Sequence, residues 1–117
     1  MNEIDRYKHS LRVELLSKLL KANAFWSYAD ILQTDIPDEE LIEKTFIYLD
    51  LGDIAKLFEL YPREYLHRVW RERMVVRGDY LFNLNVMIAL YYFDIRNPER
   101  YLKRVERAHI KQKLGYA

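Results

Sequence analysis

The spacing of apolar residues along the chain reads as helical almost throughout. Residues 80–93, YLFNLNVMIALYYF, run for about four helical turns without a charge. Asp79 and Asp94 close that run, and only Asn83 and Asn85 interrupt its apolar character. A helix apolar on every side is expected to be wrapped by others, and at fourteen residues it is too short for the roughly 20 needed to cross a bilayer. The expected fold is therefore all-α: a single domain over residues 1–117, a five- or six-helix orthogonal bundle around a buried central helix at about 80–93.

The remaining helices follow from periodicity and end signals. Asn2 caps a first helix that runs to about Ala22, with Ile4, Tyr7, Leu11, Leu15, Leu19 and Ala22 on one face. Residues 23–34, NAFWSYADILQT, break the period and concentrate Phe25, Trp26 and Tyr28; they read as an aromatic plug over the end of the bundle, or as a binding platform. Pro37 opens a second helix, and Asp38, Glu39 and Glu40 suit the positive end of its dipole. Leu41, Ile42, Thr45, Phe46 and Leu49 form its inward stripe. Asp50 caps a short third helix in a box-like arrangement with Asp53, and Ile54, Leu57, Phe58 and Tyr61 keep its period.

A fourth helix starts at Pro62, with Leu66, Val69, Trp70 and Arg73 inward and Arg63, Glu64, His67, Arg68 and Arg71 outward. Gly78 ends that unit and Asp79 caps the central helix. Asn97 and Pro98 open the last helix, Tyr101, Leu102, Val105, Ala108 and His109 face inward, and Gly115 follows its end. All three prolines fall at helix starts, and no stretch alternates with a period of two for long enough to suggest a sheet.

Composition adds a charge asymmetry. The formal net charge is only +1, yet residues 1–61 carry seven basic and twelve acidic side chains, and residues 62–117 carry twelve basic and six acidic. Such a split suits a polar partner, self-association through opposite patches, or neutralisation within the fold. Aromatics at 15% point to a core or an interface rich in rings. The absence of cysteine removes disulfides and thiolate metal sites, and the polar start MNEIDRYKHS leaves the cytoplasm as the expected compartment.

Catalytic chemistry finds little to work with. Ser10, Ser17 and Ser27 lack a tight glycine-flanked turn, and His9, His67 and His109 fall on three different helices without metal-ligand spacing. His109 reads as a core-edge residue, and His9 and His67 as solvated ones. Three scattered glycines cannot cradle a phosphate. A non-enzymatic protein with no cofactor and no metal is expected.

The strongest polar signal lies on the last helix. Arg100, Lys103, Arg104, Arg107 and Lys111 fall on one stripe at about 100° per residue. Such a stripe can dock on an acidic protein partner, track a phosphate backbone, or face solvent. A second basic set, Arg63, His67, Arg68 and Arg71, sits on a helix-turn-helix-like unit over 53–73. That unit lacks the usual turn glycine, and Glu64 and Glu72 interrupt its basic face.

Six blocks occurring in order carry a family resemblance: FWSY at 25–28, IPDEELIEK at 36–44, LDLGDIAKLFELYP at 49–62, VW at 69–70, LN at 84–85 and YFDIRNPERYLKR at 92–104. Over about residues 20–105 the chain resembles a family of small helical proteins common in Bacteroidetes and often encoded beside AbiEii-type nucleotidyltransferase toxins. The resemblance implies an antitoxin-like or accessory protein that binds the nucleotidyltransferase, restrains it or acts on its expression. It brings no catalytic residues; its blocks supply core and capping positions such as Trp26, Phe46, Leu57, Phe58 and Trp70. The chain departs from some antitoxins of these systems in having no clear winged-helix domain. The leading expectation is a protein partner, a nucleotidyltransferase toxin, held by the basic stripe. A nucleic-acid-binding module and a homo-oligomer joined through opposite charges are the alternatives, and no membrane association is expected.

Overall fold

The computed structural model describes residues 2–22 and 36–115. Among them lie six α-helices and one 3-10 helix, with no strand: an all-α helical bundle. The α-helices are α1 (Glu3–Lys21), α2 (Asp38–Tyr48), α3 (Leu51–Leu60), α4 (Arg63–Arg73), α5 (Phe82–Tyr92) and α6 (Pro98–Lys113), and the 3-10 helix spans Val75–Leu81. The aromatic stretch expected at 23–34 lies outside the described residues. No helix among the described residues is long and apolar enough to cross a membrane. The chain divides into two compact units, Met1–Leu66 and His67–Ala117.

In the first unit α1, α2 and α3 pack on one another. The Asn2 side chain accepts from the Asp5 amide at 2.8 Å, so α1 starts where its cap signal placed it. Only Leu15 and Leu19 of its apolar face are buried, however, and Ile4 and Tyr7 are 66% and 47% exposed. The first two turns of α1 therefore stand away from the core. The inward stripe of α2 is as expected at Leu41, Ile42, Thr45 and Phe46, joined by the buried Glu43. Thr45 is fully buried and its hydroxyl has no hydrogen-bond partner among the described residues.

The acidic first turn of α2 does more than face a dipole. Tyr61 donates to Asp38 Oδ1 at 2.6 Å, and Tyr65 donates to Glu39 Oε1 at 3.1 Å. Burial, and then the hydrogen bond to Asp38, push the Tyr61 phenol well above its usual range. The Arg12 guanidinium donates to the Ile36 carbonyl and lies 3.5 Å from Asp38, tying α1 to the entrance of α2.

Asp53 corrects the expectation of a capping-box partner. Asp50 caps α3 by accepting from the Asp53 amide at 3.0 Å, but the Asp53 carboxylate is buried and accepts from Lys18 Nζ at 2.7 Å and Lys56 Nζ at 3.2 Å. Lys56 in turn donates to Glu14 Oε1 at 2.7 Å. This chain of charges joins α1 to α3. Burial alone would raise the Asp53 pKa, but the hydrogen bonds from Lys18 and Lys56 outweigh it and hold the carboxyl below its ordinary value.

In the second unit the 3-10 helix, α5 and α6 pack on one another. The chain does not enter α5 through an Asp79 cap. It continues from α4 into the 3-10 turn, and Leu81 precedes α5 without a side-chain cap. Gly78 bends that turn at φ 64°, ψ −134°, a conformation for glycine, and a Cβ there would come within 3.1 Å of Glu106 Oε1 on α6. At the other end of α5, Asp94 takes the left-handed φ of 53° and the Ile95 amide reaches back to the Ala89 carbonyl at 3.0 Å.

The expectation that α5 is buried all round is also corrected. Asn85, Ile88 and Ala89 are buried, but Leu90 is 50% and Tyr91 67% exposed, and Tyr80 before the helix is 84% exposed. One of its two asparagines, Asn85, is at the centre of the packing. Trp70 donates Nε1–H to Asn85 Oδ1 at 2.9 Å, and Asn85 Nδ2 donates to the Met74 carbonyl at 3.2 Å. The amide thus satisfies the buried indole and a carbonyl at the carboxyl end of α4 together.

Three stability predictions follow from these contacts. Asn85→Ala leaves the buried Trp70 indole N–H without an acceptor, worth about 1–3 kcal/mol, while the Met74 carbonyl keeps the Arg77 amide, so the unfolding free energy should fall by roughly 1–3 kcal/mol in urea titrations. The exposed Asn83→Ala should change it by less than about 0.5 kcal/mol. Thr45→Val removes an unpartnered buried hydroxyl at nearly constant shape and should leave stability unchanged or raise it by about 1–2 kcal/mol. Asp53 has a depressed folded pKa, so its contribution is present above the unfolded carboxyl value, about 3.9, and is lost as pH falls through the lower folded value. Asp53→Asn should flatten this part of the acid limb in a pH series of thermal melts.

Candidate functional site

Helix α6 is built to present charge. The Asn97 side chain accepts from the Arg100 amide at 3.3 Å and Pro98 occupies the first turn, so the helix starts at a fixed register and its stripe positions are set. Leu102 is buried and Tyr101, Val105 and His109 are half-buried, whereas Ala108, expected inward, is exposed. Arg100, Lys103, Arg104, Arg107 and Lys111 are all exposed. The first four line one groove of about 510 Å³, and Lys111 lines a neighbouring cleft with His109.

None of the five forms an ion pair among the described residues. Among the described residues the groove walls hold no acid, so the positive charge lining it is not cancelled there. Over the eleven residue steps from Arg100 to Lys111 the stripe extends about 16 Å along the axis. This is a length suited to several acidic groups in a row, or to several phosphates.

An aromatic stack stands behind the stripe. The Arg104 guanidinium lies over the Tyr101 ring at 5.4 Å from its centre, and Tyr101 stacks on Trp70 with ring centres 6.1 Å apart and planes 1° apart. Trp70 also stacks on Phe93 at 5.0 Å. One member of the basic face is thus seated on rings that continue to the Trp70–Asn85 hydrogen bond.

His67 belongs to this stack. Its ring centre lies 4.7 Å from Phe93 and 5.6 Å from Trp70, and its Nε2 shares a hydrogen bond with Tyr101 Oη at 3.0 Å. It is half-buried, not a solvated outward residue as the sequence suggested. Arg71 is also half-buried, with Nε fully buried. Of the second basic set only Arg63 and Arg68 stand exposed, so those four residues do not make one open face on α4. The reason is aromatic packing: His67 and Trp70 are three residues apart on α4, and both rings meet Phe93 and Tyr101.

Two features escaped the sequence reading. One is the cleft lined by Arg71, Val105 and His109, which needs α4, the 3-10 turn and α6 to be placed together. The other lies in the first unit, a groove of about 300 Å³ lined by Ile4, Tyr7, Leu11 and Glu59, where Tyr7 donates to Glu59 Oε1 at 3.1 Å. Among the described residues no group of three or more His, Asp or Glu side chains could hold a metal ion. No protein-family profile, curated protein or solved structure matches the chain.

Proposed function

We propose that the protein is a non-enzymatic interaction protein of the cytoplasm that binds an acidic surface of a protein partner through the exposed stripe of α6. The observation that supports this reading is the set of five exposed cations on one face, none of them in an ion pair and four converging on one groove. Exposed like charges on one face repel one another, and an acidic partner relieves that repulsion while setting orientation. The sequence blocks resembling small helical proteins encoded beside AbiEii-type nucleotidyltransferase toxins name the partner class: a nucleotidyltransferase, with this chain as its antitoxin-like or accessory companion. In that arrangement the stripe covers acidic groups at or near the toxin's nucleotide or RNA site.

The same stripe supports a second reading, nucleic-acid binding. It is weakened by the placement of His67 within the ring stack, which removes the helix-turn-helix-like unit as a continuous basic partner for α6. A phosphate-tracking stripe predicts binding that falls steeply with salt, because each neutralised phosphate releases counterions.

The deciding experiment is a tagged pull-down from the native host, divided into nuclease-treated and untreated halves. A nucleotidyltransferase retained at fixed stoichiometry after nuclease is the expected result. Recovery of nucleic acid, with proteins lost on nuclease treatment, would overturn it in favour of the second reading. The double variant Arg104→Glu/Arg107→Glu should weaken partner capture by roughly 100-fold or more, since a charge-assisted contact contributes about 1.5–3 kcal/mol. Its unfolding free energy should fall by no more than about 1 kcal/mol, the loss of the Arg104–Tyr101 contact included.

A further inference from the structure

The cleft on the other flank of α6 has the make-up of a small-molecule site. It is an open cleft of about 700 Å³ and lies wholly within the second unit. That volume falls in the range of about 300–1,000 Å³ typical of ligand pockets. Its floor is apolar, made by Val76 of the 3-10 helix with Val105 and Ala108 of α6, and Arg71, His109 and Lys111 stand around it. Glu72 also lies on the wall, but it is exposed and makes no ion pair with Arg71.

Arg71 is the informative residue. Its Nε is buried and has no hydrogen-bond partner, and the guanidinium forms no ion pair among the described residues. A buried donor of this kind is costly unless an acceptor meets it. A charged, planar donor fork is matched by a carboxylate or a phosphate, which it grips through two hydrogen bonds. Lys111 adds a second cation at the same cleft, while the valine and alanine floor offers nothing to a hydrated inorganic ion.

We propose that this cleft binds an organic anion, with its carboxylate or phosphate on Arg71 and Lys111 and an apolar or aromatic body against Val76, Val105 and Ala108. The ligand meets the part of the guanidinium that lines the cleft, and a turn of the Arg71 side chain brings the buried Nε–H to it. The site stands on Arg71 and the apolar floor, and is independent of whether the stripe binds a protein or a nucleic acid.

The test is a titration of the methyl-labelled full chain at low salt, followed by NMR, with phenyl phosphate, benzoate, inorganic phosphate and phenol as separate probes. Saturable shifts of the Val76, Val105 and Ala108 methyls with phenyl phosphate or benzoate are expected, with the tighter of the two naming the head group. Inorganic phosphate and phenol should bind at least tenfold more weakly, each lacking one half of the recognised chemistry. Arg71→Gln should weaken the tighter probe at least tenfold, and Arg104→Ala should change it less than twofold. Because Arg71 is half-buried, Ala108→Phe provides a second variant: Ala108 is exposed, and the larger ring should fill the cleft and abolish the shifts with the fold intact. Methyls that do not move with either aromatic anion would overturn the proposal. So would binding that survives both Arg71→Gln and Ala108→Phe.

Discussion

The second unit depends on one amide. Asn85 sits in the most apolar helix of the chain, where an unpaired side-chain amide would be costly, and it is held there by the Trp70 indole and the Met74 carbonyl. Those two partners fix the rotation of α5 and the position of the carboxyl end of α4 at the same time. Once Trp70 is placed, Phe93, His67 and Tyr101 have a flat surface to stack on, and the half-buried face of α6 is set. The exposed stripe then follows from helical geometry, because the residues opposite Tyr101 and Val105 have only solvent to face. A buried polar contact thereby decides where surface charge is displayed.

The first unit solves a similar problem with charge in place of a neutral amide. Asp53 is buried and would be penalised as an anion, but Lys18 and Lys56 both reach it, and Glu14 shares Lys56. Such an arrangement gives little net stability over an apolar replacement, yet losing one partner leaves a buried charge uncompensated. Its geometric effect is to tie α1 to α3 at one register. The exposed first turns of α1 lie beyond that tie, which agrees with Ile4 and Tyr7 standing outside the core.

Legibility in the sequence follows the range of the interaction. Features set by a few neighbouring residues could be read: Asn2, Asp50 and Asn97 cap helices, and the prolines sit at helix entrances. The all-α fold and the basic stripe on α6 belong to the same group, since both are properties of period. What failed was what depends on distant partners. A run without charge looks buried on all sides, but Tyr80, Leu90 and Tyr91 are exposed because burial depends on which neighbours arrive, not on hydropathy alone. His67 looked solvated because its neighbours on the chain are charged, whereas its contacts come from Phe93 and Tyr101, 26 and 34 positions away. Asp53 looked like a capping residue because the lysine 35 positions earlier is invisible to a local pattern.

The same distinction separates the two faces of α6. Apart from Arg104, which rests on the Tyr101 ring, the stripe is built from side chains that need little from the rest of the fold beyond a helix to stand on. Its charges therefore form an extended array that offers little shape. The cleft on the other flank is made from three elements, with Arg71 from α4, Val76 from the 3-10 helix and Val105 and Ala108 from α6, so its outline depends on Gly78 bending the turn close to Glu106. Shape selectivity requires walls of separate origin held at fixed distance, and of the two faces of α6 it is the cleft that has them. Lys111 belongs to the stripe by spacing and to the cleft by position. An anion held in the cleft would neutralise one end of the stripe, so binding at either face changes the electrostatic potential at the other.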